Sequence, residues 1–131
     1  MFAKSDGPTA LRAELVRAAD AIRALGPSVV IVKRGEHGAL LFDDAGVFAA
    51  PAFPLREVQD PTGAGDSFAG GLMGALASGG ELGRDALRRA MIYGSVLASF
   101  CVERFSLDRL RDLTRADIDA RFEEFRSLTR F

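Results

Sequence analysis

The stretch "QDPTGAGDSFAGG", residues 59–71, decides how this chain is read. Gly63, Ala64 and Gly65 lie between an Asp-Pro-Thr turn and a carboxylate, Asp66, and a run of small residues then opens into a helix. The first turn of a helix leaves backbone N–H groups unpaired and carries partial positive charge, so it is a ready anion site. Glycines let the backbone approach a ligand closely. Two familiar glycine motifs are excluded. A dinucleotide fingerprint needs glycine at 63, 65 and 68, and position 68 is Phe. A Walker A loop starting at Gly65 needs Lys after Gly70, and that position is Gly71. Asp66 itself has two readings: a helix N-cap, worth about 1 kcal/mol, or a general base beside an anion hole, accepting the proton of a hydroxyl that attacks a phosphoryl group.

Outward from this loop, residues 10–25 place Leu11, Leu15, Ala19, Ile22 and Leu25 at helical spacing, with Thr9 as N-cap and Gly26-Pro27 as the stop. "VVIVK" (29–33) is a continuous β-branched run, the mark of a strand buried on both faces in a parallel sheet. "ALLFD" (39–43) and "VFAA" (47–50) predict a hairpin turning at Asp44-Ala45-Gly46. "SFAGGLMGALASG" (67–79) is apolar almost all round and predicts a buried helix. Residues 84–100 predict another, with Ala86, Leu87, Ala90, Val96 and Leu97 inward. Thr114 and Asp117 make a capping-box start for a helix carrying Ile118, Phe122 and Phe125 on one stripe.

The order of elements suggests an α/β sheet with too few strands for a doubly wound domain. The 131 residues suit one domain, and 48% apolar with 27% charged residues is an ordinary globular composition. Lys plus Arg number 17 against 18 Asp plus Glu, a net charge of −1 that gives no reason to expect nucleic acid or an anionic membrane as partner. No apolar run approaches the roughly 18 residues of a membrane span. The N-terminus lacks the apolar core of a signal peptide, which makes the cytoplasm the expected compartment. The single cysteine, Cys101, excludes an internal disulfide or cysteine-rich zinc site, and reads as a buried core thiol. The single histidine, His37, excludes a histidine metal cluster within the chain and reads as an exposed loop residue.

"DPTGAGDSFAGG" (60–71) resembles the second signature of the PfkB carbohydrate kinases, the ribokinase-like family, with Pro61 departing from the commonest Asp-Thr-Thr-Gly-Ala-Gly-Asp form. Upstream, "VVIVKRGEHGALLF" (29–42) resembles that family's strand and nucleotide loop, Lys-x-Gly-x-x-Gly-Ala. The resemblance implies a partial ribokinase-like α/β fold, Rossmann-like and three-layered αβα, forming the C-terminal part of a mostly parallel sheet with flanking helices. It covers residues 1–131 as the nucleotide-binding portion, with no counterpart for the family's N-terminal half, its lid or its first signature.

The implied roles follow position by position. Asp66 would be the catalytic base, and Gly63, Ala64 and Gly65 the anion hole. Lys33, Gly35, Glu36 and Gly38 would line the phosphates and ribose of Mg-ATP. Asp60 and Thr62 match positions that bind a monovalent cation, usually K+. Lys33 could equally be a solvated strand-end lysine, and Tyr93 and Met91, near the family's adenine pocket, could be plain core. The implied activity is phosphoryl transfer to a hydroxyl of a sugar or nucleoside, in a homodimer or with a complementing chain. The isolated chain is expected to be inactive. The alternative is a truncated, non-catalytic module that binds nucleotide or a partner chain.

Overall fold

The computed structural model describes residues 8–105 and 107–131. Helix α1 (Pro8–Ala24) is followed by strand β1 (Val30–Lys33), a single 3-10 turn (Gly35–His37), β2 (Ala39–Asp43) and β3 (Gly46–Ala50). Then come α2 (Ala64–Ser78), α3 (Arg84–Cys101), the short α4 (Asp108–Arg111) and α5 (Arg115–Thr129). The three strands are neighbours in the order β1-β2-β3. Connections this short join antiparallel strands, because a parallel pair needs a crossover of a dozen residues or more. The chain divides into two compact units: the residues up to Val32 with Leu40–Phe48, and Lys33–Ala39 with Ala49–Phe131.

In the first unit, Leu41 and Phe42 are buried, and so is Ala19 of α1. Arg23 closes the C-terminal end of α1 by donating to Asp44 Oδ1 at 2.6 Å and to the Ser28 carbonyl at 3.3 Å. At the hairpin tip the Ala45 amide donates to Asp43 Oδ1 at 2.8 Å, the side-chain turn that aspartate favours. Three expectations are corrected here. Thr9 lies inside α1 rather than before it, since Pro8 takes the first helical position that its fixed φ suits. Ile22 and Leu25 are exposed, at 45% and 86%, as no described residue covers them. β1 is half-buried rather than covered on both faces, its three valine and isoleucine side chains each partly accessible.

The second unit is built on helix contacts. α2 and α3 approach at two glycines: a Cβ on Gly71 would stand 2.8 Å from the Tyr93 carbonyl oxygen, and one on Gly94 2.8 Å from the Phe68 carbonyl oxygen. α2 buries only Phe68 and Leu72, while Met73 is 61% exposed. Apolar composition all round therefore does not mean burial all round; one stripe meets α3. Val96 and Phe100 of α3 pack with Phe122 and Phe125 of α5 to make the core of this unit. Leu97, expected inward, is half-buried at its edge. The Thr114–Asp117 capping box forms as expected: the Asp117 amide donates to Thr114 Oγ1 at 3.2 Å, and the Thr114 amide to Asp117 Oδ2 at 3.0 Å.

Candidate active site

All residues of the candidate site belong to the second unit. The chain enters it at Gln59 and Asp60, whose amides donate to the Val102 carbonyl at 2.9 and 3.4 Å and tie the loop to the end of α3. The Thr62 amide donates to Asp60 Oδ1 at 2.9 Å. That bond, then one from the Thr62 side chain, holds the Asp60 carboxyl below its usual range against a small opposing effect of burial. Cys101, buried as expected, directs its thiol at the Thr62 carbonyl 3.6 Å away. Gly63 caps α2 in the left-handed region, with φ 83°. A Cβ there would meet Cys101 Sγ at 3.6 Å, an ordinary contact, so the backbone angle and not space calls for glycine.

The cap reading of Asp66 fails. Gly63 is the cap residue and Asp66 is the third residue of the helix, with no side-chain cap bond. Its carboxylate is exposed and has no hydrogen bond or ion pair among the described residues. The Ala64 amide donates to the Pro61 carbonyl at 3.2 Å, and the Ser67 amide to Gly63 at 2.9 Å. The amides of Gly63, Gly65 and Asp66 have no acceptor among the described residues, leaving donors at the positive end of α2.

The loop after β1 comes to the same place. Arg34 and Gly38 close it, the Arg34 amide donating to the Gly38 carbonyl at 2.8 Å, and the Gly38 amide reaches Gly35 at 3.1 Å. Gly38 has φ 80° and ψ −151°, a region essentially reserved for glycine. A Cβ on it would fall 2.2 Å from the Ala50 carbonyl oxygen. Lys33 donates its ammonium to the Gly65 carbonyl at 3.1 Å and stands 5.9 Å from the centre of the Phe68 ring. It is exposed at the end of the strand, as a solvated lysine would be, with this one hydrogen bond to the glycine loop. Glu36 and His37 are exposed and 3.6 Å apart.

Between these two loops lies a cavity of about 640 Å³. Lys33, Gly35, Glu36 and Gly38 line one side, and Pro61, Ala64, Gly65 and Phe68 another. The rest of the wall was not foreseen: Ala52, Phe53, Leu55 and Val58 from the segment before the glycine loop, and Ser95, Ala98, Ser99 and Val102 from α3. Ser95 is 8% exposed and its hydroxyl has no partner among the described residues. The sequence signal for this wall is a pair of serines one helical turn apart, Ser95 and Ser99, within a largely apolar segment. Asp60, Thr62, Gly63 and Asp66 do not line this cavity. Met91 and Tyr93 do not either: Met91 is fully buried, and Tyr93 stacks on Phe122 at 4.4 Å, so both are core. Among the described residues no three His, Cys, Asp or Glu side chains are grouped to hold a metal ion, and no helix is long and apolar enough to cross a membrane.

The family model described as pfkB family carbohydrate kinase matches residues 3–110. A nucleoside kinase of Methanothermobacter thermautotrophicus is 39% identical over 82 residues, covering 63% of this chain and 24% of that protein. Ribokinase from Thermotoga maritima superposes with a TM-score of 0.68 at 30% identity, over 82% of this chain and 34% of its own. Aminoimidazole riboside kinase from Salmonella enterica, solved with aminoimidazole riboside and an ATP analog, gives 0.66 at 28% identity, over 86% and 36%. The fold is thus a partial ribokinase-like α/β fold, and the chain spans about a quarter to a third of the proteins it matches.

Proposed function

The chain belongs to the pfkB family of carbohydrate kinases, and on that premise we propose that it supplies the nucleotide cavity, anion hole and catalytic base for ATP-dependent phosphoryl transfer to a hydroxyl of a sugar or nucleoside. The observation that carries this reading is the cavity that brings the 33–38 loop against the first turn of α2, although the two are some thirty residues apart in the chain. Its size lies within the range of roughly 300–1,000 Å³ usual for small-molecule sites. Apolar walls from Phe53, Leu55, Val58 and Ala98 suit a planar base, and the Ser95 hydroxyl offers it a polar contact. The phosphates would then lie toward Lys33 and the α2 N-terminus.

Mg-ATP would supply the transferable phosphoryl group. In this chain the free amides of Gly63, Gly65 and Asp66 would hold the charge developing on its oxygens. Asp66, unpaired and exposed, would take the acceptor hydroxyl's proton as that oxygen attacks. Lys33 would exchange the Gly65 carbonyl for a phosphate oxygen. Asp60 and Thr62, already joined through the Thr62 amide, would hold a monovalent cation beside the amides. The acceptor contacts would come from polypeptide beyond this third of the fold. A second reading, a nucleotide-binding module without turnover that docks on another chain, is favoured by the exposed Val16, Ile22, Leu25 and Val47 of the first unit.

Calorimetric titration with Mg-ATP, followed by a transfer assay in the presence of a complementing N-terminal half, separates the two. Asp66→Asn should keep nucleotide affinity and lose about 10²–10⁴ of the transfer rate, the usual share of a general base. Undiminished transfer in that variant would remove Asp66 from the mechanism. Binding without transfer in the assembled wild type would favour the module.

A further inference from the structure

Arg121 of α5 does not line the cavity, yet it touches two residues that do. Its guanidinium carbon lies 4.7 Å from the centre of the Phe53 ring, and Nη1 donates to Ser99 Oγ at 3.1 Å. The same group lies 3.6 Å from the centre of the Phe100 ring. Nη2 pairs with Glu103 Oε1 at 2.6 Å, and Glu103 Oε2 accepts from Arg109 Nε at 3.1 Å. Ser99 in turn donates to the Val96 carbonyl at 2.6 Å, so its hydroxyl is held from both sides. We infer that Arg121 is a positioning residue for the nucleotide cavity: clamped by Glu103 and Phe100, its planar guanidinium sets where Phe53 and Ser99 stand in the cavity wall.

Two features argue for placement rather than bulk stability. A buried ion pair is weak evidence for stability, because apolar side chains of similar volume often do as well or better. Here the pair is retained although the Arg121 and Glu103 side chains are only 15% and 22% exposed and Arg121 Nε is buried without a partner. The geometry also uses what only arginine has: a flat face for the two rings and a fork for two acceptors at once. A lysine ammonium reaches one or the other. Phe53 also packs against the core cluster, its ring 5.1 Å from that of Phe125 and tilted by 48°.

The inference rests on the nucleotide reading for its ligand but not for its geometry, and the test separates them. Arg121→Met and Arg121→Lys leave Glu103 paired with Arg109. Both should unfold cooperatively, shift the Phe53 ring resonances in carbon-proton spectra of the phenylalanine-labelled chain, and weaken Mg-ATP by about tenfold, roughly 1.4 kcal/mol. Mg-tripolyphosphate, which has no base to meet Phe53 or Ser99, should bind the variants as it binds wild type. In the unsubstituted chain the Arg121 Nε–H resonance should move with Mg-ATP and stay with Mg-tripolyphosphate. Equal loss of both ligands, or an unmoved Phe53 ring, would overturn the positioning role. Should both variants unfold, the Nε–H response decides it. A wild-type chain that binds no Mg-ATP would instead remove the nucleotide reading, and the Phe53 ring would still report on the clamp.

Discussion

Substituting Gly38 by alanine tests whether the loop after β1 is held by sterics as the structure shows. At φ 80° and ψ −151° the backbone occupies a region that costs of order 1–3 kcal/mol for a residue with a Cβ. The added carbon would also stand 2.2 Å from the Ala50 carbonyl oxygen and 3.0 Å from the Ala52 nitrogen and Pro51 carbonyl carbon, all backbone. To reach ordinary contact the carbonyl must retreat by about 1 Å, and overpacking of this kind costs about 1–3 kcal/mol. The sum, about 2–6 kcal/mol, is a large share of a small domain's stability. Gly35 in the same loop is the control. It has φ 56° but nothing within 4 Å of its would-be Cβ, so Gly35→Ala should lose only the backbone preference, about 1 kcal/mol. Urea unfolding of the 131-residue chain measures both. Equal losses at the two positions would refute the contact and leave only the dihedral.

Two further outcomes follow from the same geometry. Gly94→Ala and Gly71→Ala drive a methyl into a facing carbonyl across α2 and α3 and should destabilise by about 1–3 kcal/mol. Gly70→Ala and Gly74→Ala, with open space around them, should stabilise α2 by up to about 1 kcal/mol; the same sign at all four positions would contradict the helix contact. The Asp60 and Asp117 carboxyls are held below 3.8 by bonds from Thr62 and Thr114 respectively. Their stabilisation is present above that value and is lost as pH falls through the lowered one. The stability gap between wild type and Asp60→Asn or Asp117→Asn should therefore be flat near neutrality and shrink below about pH 4. A gap that persists unchanged to the acid limit would show that the hydrogen bonds do not favour the charged forms.

Local chemistry was legible. The hairpin at 39–50, the capping box at Thr114, the helix opening after the glycine bend and the turn at Gly26 all depend on neighbours within a few residues, and they appear where expected. The ambiguity at Asp66 was harder, because a cap and a third-position carboxylate differ by one turn of backbone that the residue types do not settle. Gly63 takes the left-handed angle, so the cap is backbone alone and the carboxylate is left free.

Residue pattern also misjudged which faces are covered. α2 is apolar on every side, yet only the stripe bearing Phe68 and Leu72 meets α3, and Ile22 and Leu25 stand exposed at the end of α1. Periodicity says which residues could be buried; only an opposing surface decides which are. The sequence by itself determined the glycine bend, its carboxylate and the family to which they belong. Tertiary structure alone decided that Lys33 meets the Gly65 carbonyl, that Phe53, Ser95 and Ser99 wall the cavity, and that Arg121 stands behind them. The physical reason is range: turns and caps are closed by atoms a few bonds away, whereas a cavity wall is assembled from elements whose contacts form only when packing excludes water between them.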